Sequence, residues 1–244
     1  MDNALYVGLS RQMTLRREMD IVANNIANAD TTGFKVESLL VETEPMSPAV
    51  TAQGPRPVKF VLDRGVGRDF RQGTLRMTGG TFDLGVEGDG FFKVSTAEGE
   101  QYTRDGRFRL DDAGKLVTQD GLPVLGDGGE LVIDPKKGPV TIAPDGTVSQ
   151  GEEIVGKVGV ARFDQLSVLE KVGDNLYRNT SNDQPQAAPD ARVKQGMLEG
   201  SNVKPITEIT RMIEVTRAYE SMAKMMDANA ELSRRSIERM GKLN

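Results

Sequence analysis

The sequence predicts an α+β fold, with a central antiparallel β domain and a discontinuous, coiled-coil-like helical domain made of the N- and C-terminal helices. Three observations point there. Apolar residues recur at steps of three and four only at the two ends of the chain. The middle alternates short β-rich runs with turn residues, including five Asp-Gly dipeptides. A cluster of prolines follows the first helical pattern and separates it from the β region. At 244 residues the chain can bury a substantial core.

The first element spans residues 1–35. Positions 5, 8, 12, 15, 19, 22, 26 and 29 form a seam on which Leu5, Leu15, Met19, Val22, Ile26 and Ala29 are apolar, while Gly8 and Gln12 weaken its first turns. The helix should end in a polar turn. Asn24, Asn25, Asn28 and Asp30 compete for backbone hydrogen bonds, and Thr31, Thr32 and Gly33 can stop the helix and reverse the chain. Residues 36–80 read as a connector with short strands, because Pro45, Pro48, Pro55 and Pro57 preclude a helix in its early part.

Residues 81–200 form the β domain, with strand-like runs at 82–86, 90–95, 108–110, 116–118, 131–133, 140–142 and 157–163. The Asp-Gly pairs begin at Asp89, Asp105, Asp120, Asp127 and Asp145 and suit tight hairpins that need positive backbone angles. Gly85, Gly88 and Gly90 read as a hairpin and not as a phosphate loop, since no strand-to-helix context and no Lys-Ser or Lys-Thr follows.

The last element, 201–244, is a long helix, with Pro205 in the first turn after Asn202 as capping candidate. Ile209, Met212, Thr216, Tyr219, Ala223, Met226, Ala230, Ser233, Ile237 and Met240 form its seam. Its flank alternates acids and bases from Glu208 to Lys242, as a solvated face or as intersubunit pairing. The β domain lies too far along the chain from the first helix to cover these seams. The helices should therefore pair with each other, with neighbouring subunits, or with both.

Composition narrows the function classes. The formal charge is −5 with no run of like charge, so nucleic acid is not an expected partner. Without cysteine there are no disulfides, thiolate nucleophiles or zinc-thiolate sites. Without histidine the commonest general base and transition-metal ligand are also missing, so no catalytic residue, metal or cofactor is expected. The first twenty residues are charged throughout and lack a signal-peptide pattern, and no run reaches the roughly 18 apolar residues of a membrane helix. Membrane insertion is not expected. The acid pairs Asp111–Asp112 and Glu152–Glu153 invite a glycosidase reading, which fails for want of an aromatic cleft in a chain with no Trp and four Tyr. Calcium at the Asp-Gly turns fails because no twelve-residue coordinating loop is present.

Residues 23–35, ANNIANADTTGFK, resemble the N-terminal signature of the flagellar rod and hook protein family. The opening MDNALYVGL resembles proximal-rod members, and GFFKV at 90–94, YTRDGRF at 102–108 and GKLVTQDGLPVLG at 114–126 are similar to the family's β core. GMLEGSNVKPITEITRMIEVTRAYE at 196–220 resembles the start of the family's last helix, and its Asn-Val-Lys-Pro run favours the proximal-rod branch over the distal-rod branch.

The resemblance implies a structural subunit that stacks helically around a hollow axis and transmits torque. Its partners would be copies of itself and other rod proteins, with the flagellar type III export apparatus in transit. Its place would be the basal body in the periplasm, reached without a cleaved signal peptide. Candidate assembly residues are then Leu5, Leu15, Met19, Val22, Asn24, Asn25, Ile26, Asn28, Thr32, Gly33 and Phe34 at one end, and Ile209, Met212, Ile213, Tyr219, Met226, Ile237 and Met240 at the other. A distal-rod or hook subunit is the near alternative. A secreted β-rich surface- or carbohydrate-binding module is the alternative of another class, and it would not need the two seams.

Overall fold

The computed structural model describes residues 2–43, 61–181 and 183–241. The prolines Pro45, Pro48, Pro55 and Pro57 lie outside them, and the side chains of Leu5, Ile237 and Met240 lie outside the described side chains. The chain forms an α+β fold of two compact units. One comprises Met1–Ala27, Glu37–Arg68 and Lys204–Asn244, the other Asn28–Val36 and Asp69–Val203.

The first unit is built on helices α1 (Asp2–Ala27) and α2 (Pro205–Gly241). Cross-helix neighbours fix their direction: Gly8 lies against Met222 and Met226, Met19 meets Thr216, Glu18 pairs with Arg211 at 2.9 Å, and Asn25 reaches Glu208. Positions rise along α1 as they fall along α2, so the helices run antiparallel. Gly8 costs helix propensity, but a Cβ there would come within 3.2 Å of Met226 Cγ, so its missing side chain lets the helices approach closely. Leu15, Ile21, Val22 and Val215 are buried.

The packed face of α2 begins at Glu208 and Val215. It does not run through Ile209 and Ile213, which are each 48% exposed. The expected seam is therefore open at its first position, Ile209, and at least partly buried at Met212, Thr216, Tyr219 and Met226, while Glu208, expected on the charged flank, is buried.

Part of the expected connector is a hairpin of this unit. Strands β1 (Glu37–Thr43) and β2 (Val61–Arg68) pair antiparallel from Glu37 opposite Arg68 to Thr43 opposite Val61, with a register shift between Leu40 and Val41. Leu39 is buried, whereas Leu40 and Val41 are half exposed.

The second unit is antiparallel β. Strands β3 (Leu75–Met77) and β4 (Leu84–Glu87) pair with the returning segments Met197–Glu199 and Arg192–Gln195. Strand β5 (Phe91–Thr96) is the centre of the main sheet. Along one edge it pairs with β6 (Gly99–Thr103), and the other edge is shared by Val160–Arg162 and Val124–Gly126. Beyond β6 the sheet continues through Leu176–Asn179 and Leu169–Gly173.

Because adjacent strand residues face opposite ways, the sheet separates two cores. Phe92 packs with Leu84, Val86, Phe108, Leu116 and Val148, and Phe91 packs with Tyr102, Ala161, Leu169 and Tyr177.

Three local expectations change. The hairpin read across Gly85–Gly90 does not form, because β4 and β5 each pair elsewhere and Gly88 only turns the chain between them. Asn202 does not cap α2. Its Oδ1 accepts from the Val36 N–H at 2.8 Å and its Nδ2 donates to the carbonyls of Asp69 and Arg71. Of the glycines in Asp-Gly pairs, only Gly121 and Gly146 take positive φ. At Gly106 the reason is space, since a Cβ would sit 1.6 Å from the Leu84 carbonyl oxygen.

Among the described residues no helix is long and apolar enough to cross a membrane.

Candidate assembly site: the polar turn and the terminal helices

At the end of α1, Asn25 is fully buried and uses its amide completely. Its Oδ1 accepts from the Glu37 N–H at 2.9 Å, and its Nδ2 donates to the Glu37 carbonyl at 2.7 Å and to Glu208 Oε2 at 2.9 Å. An alanine at this position would strand three polar groups. The side chain thus ties α1, β1 and the first turn of α2 within one unit, and buries Glu208 as a partnered carboxylate.

The turn itself, Asn28–Val36, belongs to the β unit. Thr31 Oγ1 donates to Asn28 Oδ1 at 3.1 Å, the local hydrogen bond that stops a helix. Gly33 has φ +70° and donates its N–H to the Glu199 carbonyl at 2.8 Å. A Cβ there would lie 2.5 Å from the backbone of Arg104 and Asp105, so both conformation and space demand glycine. Phe34 is buried, with the Lys171 ammonium 4.5 Å from its ring centroid.

Lys35 follows, also buried. Its Nζ donates to Glu199 Oε1 at 2.6 Å and to the Arg71 carbonyl at 2.9 Å. Glu199 also accepts from the Gly73 N–H at 2.8 Å and from Arg104 Nη1 at 3.0 Å. Burial pushes the Lys35 ammonium below the ordinary lysine value, with the Glu199 carboxylate opposing that shift. Lys35, Arg104 and Glu199 escape sequence reasoning, because a charged side chain is read as exposed unless its partner is known, whereas Asn202 and Glu208 are singled out there in other roles, as a helix cap and as part of the charged flank.

Other candidates divide by burial. Leu15 and Val22 are buried, Met19, Ile26, Asn28, Thr32, Met212, Tyr219 and Met226 are partly buried, and Asn24, Ile209 and Ile213 are exposed. Two apolar stripes remain on the outside of the helix pair. On α1, Tyr6, Leu9 and Met13 repeat at i, i+3, i+7 and are 63%, 46% and 65% exposed. On α2, Ile206, Ile209 and Ile213 repeat at the same spacing, and Ile206 is 82% exposed. In the antiparallel pair these stripes lie toward opposite ends.

The acid pairs serve the fold. Asp111 accepts from the N–H groups of Ala113 and Lys115, and Glu153 pairs with Lys137.

The chain is 63% identical to the "Flagellar basal-body rod protein FlgF" of Caulobacter vibrioides, over the whole of both chains. The chain belongs to the flagellar basal-body rod protein family. It is also 36% identical to the FlgF of Mesorhizobium japonicum over 99% of each chain. With the "Flagellar basal-body rod protein FlgG" of Bacillus subtilis it shares 32% identity over 94% of this chain and 96% of the relative.

Three family models match in chain order. Residues 5–35 fit "Flagella basal body rod protein", residues 85–150 fit "Flagellar hook protein FlgE/F/G D1 domain", and residues 194–239 fit "Flagellar basal body rod FlgEFG protein C-terminal". The first and last of these rod-family matches cover most of α1 and α2. As a rod-family member the chain is a structural subunit of the flagellar basal body.

Proposed function

We propose that this rod subunit polymerises through the outward faces of its two terminal helices, with copies of itself and with other rod proteins. It thereby forms part of a hollow axial shaft that passes motor torque, and performs no catalysis. The carrying observation is the pair of exposed stripes, Tyr6–Leu9–Met13 and Ile206–Ile209–Ile213, on helices whose inner faces already cover each other. Different patches at opposite ends of one body suit a heterologous contact, which stacks helically when its rotation does not close.

The same reading places the chain in the proximal rod within the periplasm, delivered by the flagellar type III export apparatus. The 63% identity to a FlgF protein supports the proximal position.

The test is Ile209→Asp with Ile213→Asp. Both side chains are half exposed, so folding and circular dichroism should match the parent. Cells carrying the variant should lose motility, and their basal bodies should lack the subunit. Normal swimming with normal incorporation would show that this face is not an assembly face.

A further inference from the structure

The five Asp-Gly dipeptides are not accounted for by turn geometry alone, since only two of their glycines take positive φ. Asp-Gly is also the pair at which a backbone can rearrange. The missing side chain of glycine lets the aspartyl carboxyl swing onto the next amide nitrogen, an approach that any larger residue crowds. In a folded chain the reaction further requires a carboxylate that is not held, an amide nitrogen that is not bonded, and room for the peptide to turn.

Four of the five pairs fail one of these conditions. The Asp145 carboxylate accepts from the N–H and the hydroxyl of Thr147 at 3.0 and 2.8 Å, and the Gly146 N–H donates to the Ala143 carbonyl at 2.9 Å. The Asp105 carboxylate is gripped by Arg107, with Nη2 at 2.6 Å, and Gly106 is buried against the Leu84 carbonyl. Gly121 gives its N–H to the Thr118 carbonyl at 3.0 Å. Asp89 is exposed, but Gly90 is buried, with the Val160 side chain closing the space beside its Cα.

Asp127 and Gly128 meet every condition. Both are exposed. The Asp127 carboxylate faces the Lys157 ammonium at 3.8 Å, beyond hydrogen-bond reach. Among the described residues the Gly128 N–H has no hydrogen-bond partner, and nothing lies within 4 Å of the position a Cβ would take. The pair forms the loop of a hairpin in which Gly126 lies opposite Gly129 and Leu125 opposite Glu130. The base of that loop is anchored, because the Asp127 N–H donates to the Lys157 carbonyl at 3.0 Å, while the reacting atoms are left unbonded.

We propose that Asp127 is a site of spontaneous isoaspartate formation, and that the fold confines this modification to one Asp-Gly pair of the five. The Gly128 nitrogen attacks Cγ of Asp127. An N–Cγ bond forms, a Cγ–O bond breaks, and that oxygen leaves as water with the amide proton and one proton from solvent. Water then adds to the Asp127 main-chain carbonyl of the cyclic imide and breaks its old bond to nitrogen, and the solvent proton returns as the new carboxylate ionises. Atoms and charge are unchanged, and no oxidant or reductant takes part. The main chain now runs through the Asp127 methylene, with the α-carboxylate hanging beside it. The fold tolerates the longer loop, because Val124–Gly126 is held separately by β5 and Gly129–Glu130 lies at the edge of the sheet. The loop belongs to the β unit, so this inference stands apart from the role proposed for the terminal helices.

The experiment holds the full chain at neutral pH and physiological temperature, folded in one sample and unfolded in urea in another. Trypsin releases residues 116–136 as one peptide that carries both Asp120 and Asp127, and electron-based fragmentation in the mass spectrometer tells isoaspartate from aspartate. In the folded chain isoaspartate should build up at Asp127 about tenfold faster than at Asp120 or Asp145, the factor expected for a hydrogen bond that those pairs must first break. In urea the rates should converge. Gly128→Ala puts its Cβ into open space at a φ that is not positive, so it should keep the fold and slow the reaction at Asp127. The proposal is overturned if Asp127 reacts no faster than Asp120 in the folded chain, or if another Asp-Gly pair leads. It is equally overturned if the same ranking persists in urea, which would make it a property of local sequence, or if folded Gly128→Ala isomerises at the parent rate.

Discussion

The side chain of Asn25 pairs with the backbone of Glu37 as a neighbouring strand would, accepting from its N–H at 2.9 Å and donating to its carbonyl at 2.7 Å. The second amide hydrogen goes to Glu208, so one residue joins both terminal helices to the first strand of their unit.

Asn25→Ala should therefore destabilise the helical unit by about 2 to 3 kcal/mol, the cost of buried donors and acceptors left without partners. Hydrogen exchange at the Glu37 amide reads it directly. Asn25→Asp has a sign that depends on pH. It sets a new carboxylate beside the buried Glu208 side chain, so the introduced group holds its proton to higher pH in the folded state than in the unfolded chain. Its stability should be highest at acid pH, where the pair keeps a proton, and should fall as pH rises through the folded value. A variant equally stable at acid and neutral pH would mean that the new carboxylate escapes to solvent.

Glu199→Gln should damage the β unit more. It removes the carboxylate shared by Lys35 and Arg104 and leaves buried charge uncompensated, a loss on the order of 3 to 5 kcal/mol. Burial already holds the Lys35 pKa below its ordinary 10.5, so an unfolded chain keeps that proton to higher pH than the folded one. Stability from this group is lowest below the folded value and recovers as pH rises toward 10.5. Losing Glu199 removes the chief force that opposes the lowering and widens that window. Adding Lys35→Met to Glu199→Gln should recover part of the loss in urea denaturation.

Tyr102 sets the alkaline limit. Burial first, and then the neighbouring Glu100 carboxylate, push its hydroxyl well above the ordinary 10.0. The folded protein keeps a proton that the unfolded chain releases, so this contribution is complete below about pH 10 and is lost as pH rises toward the folded value. Tyr102→Phe should flatten the stability profile above pH 10, and ultraviolet titration of the parent should show one tyrosine resisting ionisation until unfolding. A profile that falls identically in the variant would assign the alkaline loss to other groups.

Much of the fold was legible because it rests on period and turn chemistry. The seam from Leu15 to Val22, the start of α2 at Pro205 and the runs around Phe91, Leu116 and Val140 all appear near where periodicity puts them. What escaped depends on partners distant in sequence. Nothing local to Lys35 announces Glu199, 164 positions away, and nothing local to Asn25 announces Glu208, 183 positions away. The tight turn at Asp174–Asn175 escaped for another reason. Its two positive φ angles, 46° and 57°, fall on residues that tolerate that conformation less well than glycine. Asn175 is held there by its own bonds, accepting from Thr103 Oγ1 and donating to the Thr32 carbonyl.

The last prediction separates contacts within the helix pair from contacts between subunits. Met226 faces Gly8 across the seam, its Cγ close enough that even a methyl group on Gly8 would press on it. Met226→Asp puts a charge on the partly buried face packed against Gly8 of α1, and should destabilise the pair by about 1 to 3 kcal/mol in the isolated chain. Exchange should quicken along 205–232 while the amides of Phe92 and Val94 in β5 stay protected. Ile213→Asp, on the outer stripe, should leave exchange within about 0.5 kcal/mol of the parent and yet block incorporation into basal bodies. If Met226→Asp leaves helix exchange untouched, the antiparallel pairing of α1 and α2 does not persist in the free chain. If Ile213→Asp quickens exchange as much as Met226→Asp, the outer stripe is part of the chain's own packing, and the surface left for assembly must lie elsewhere.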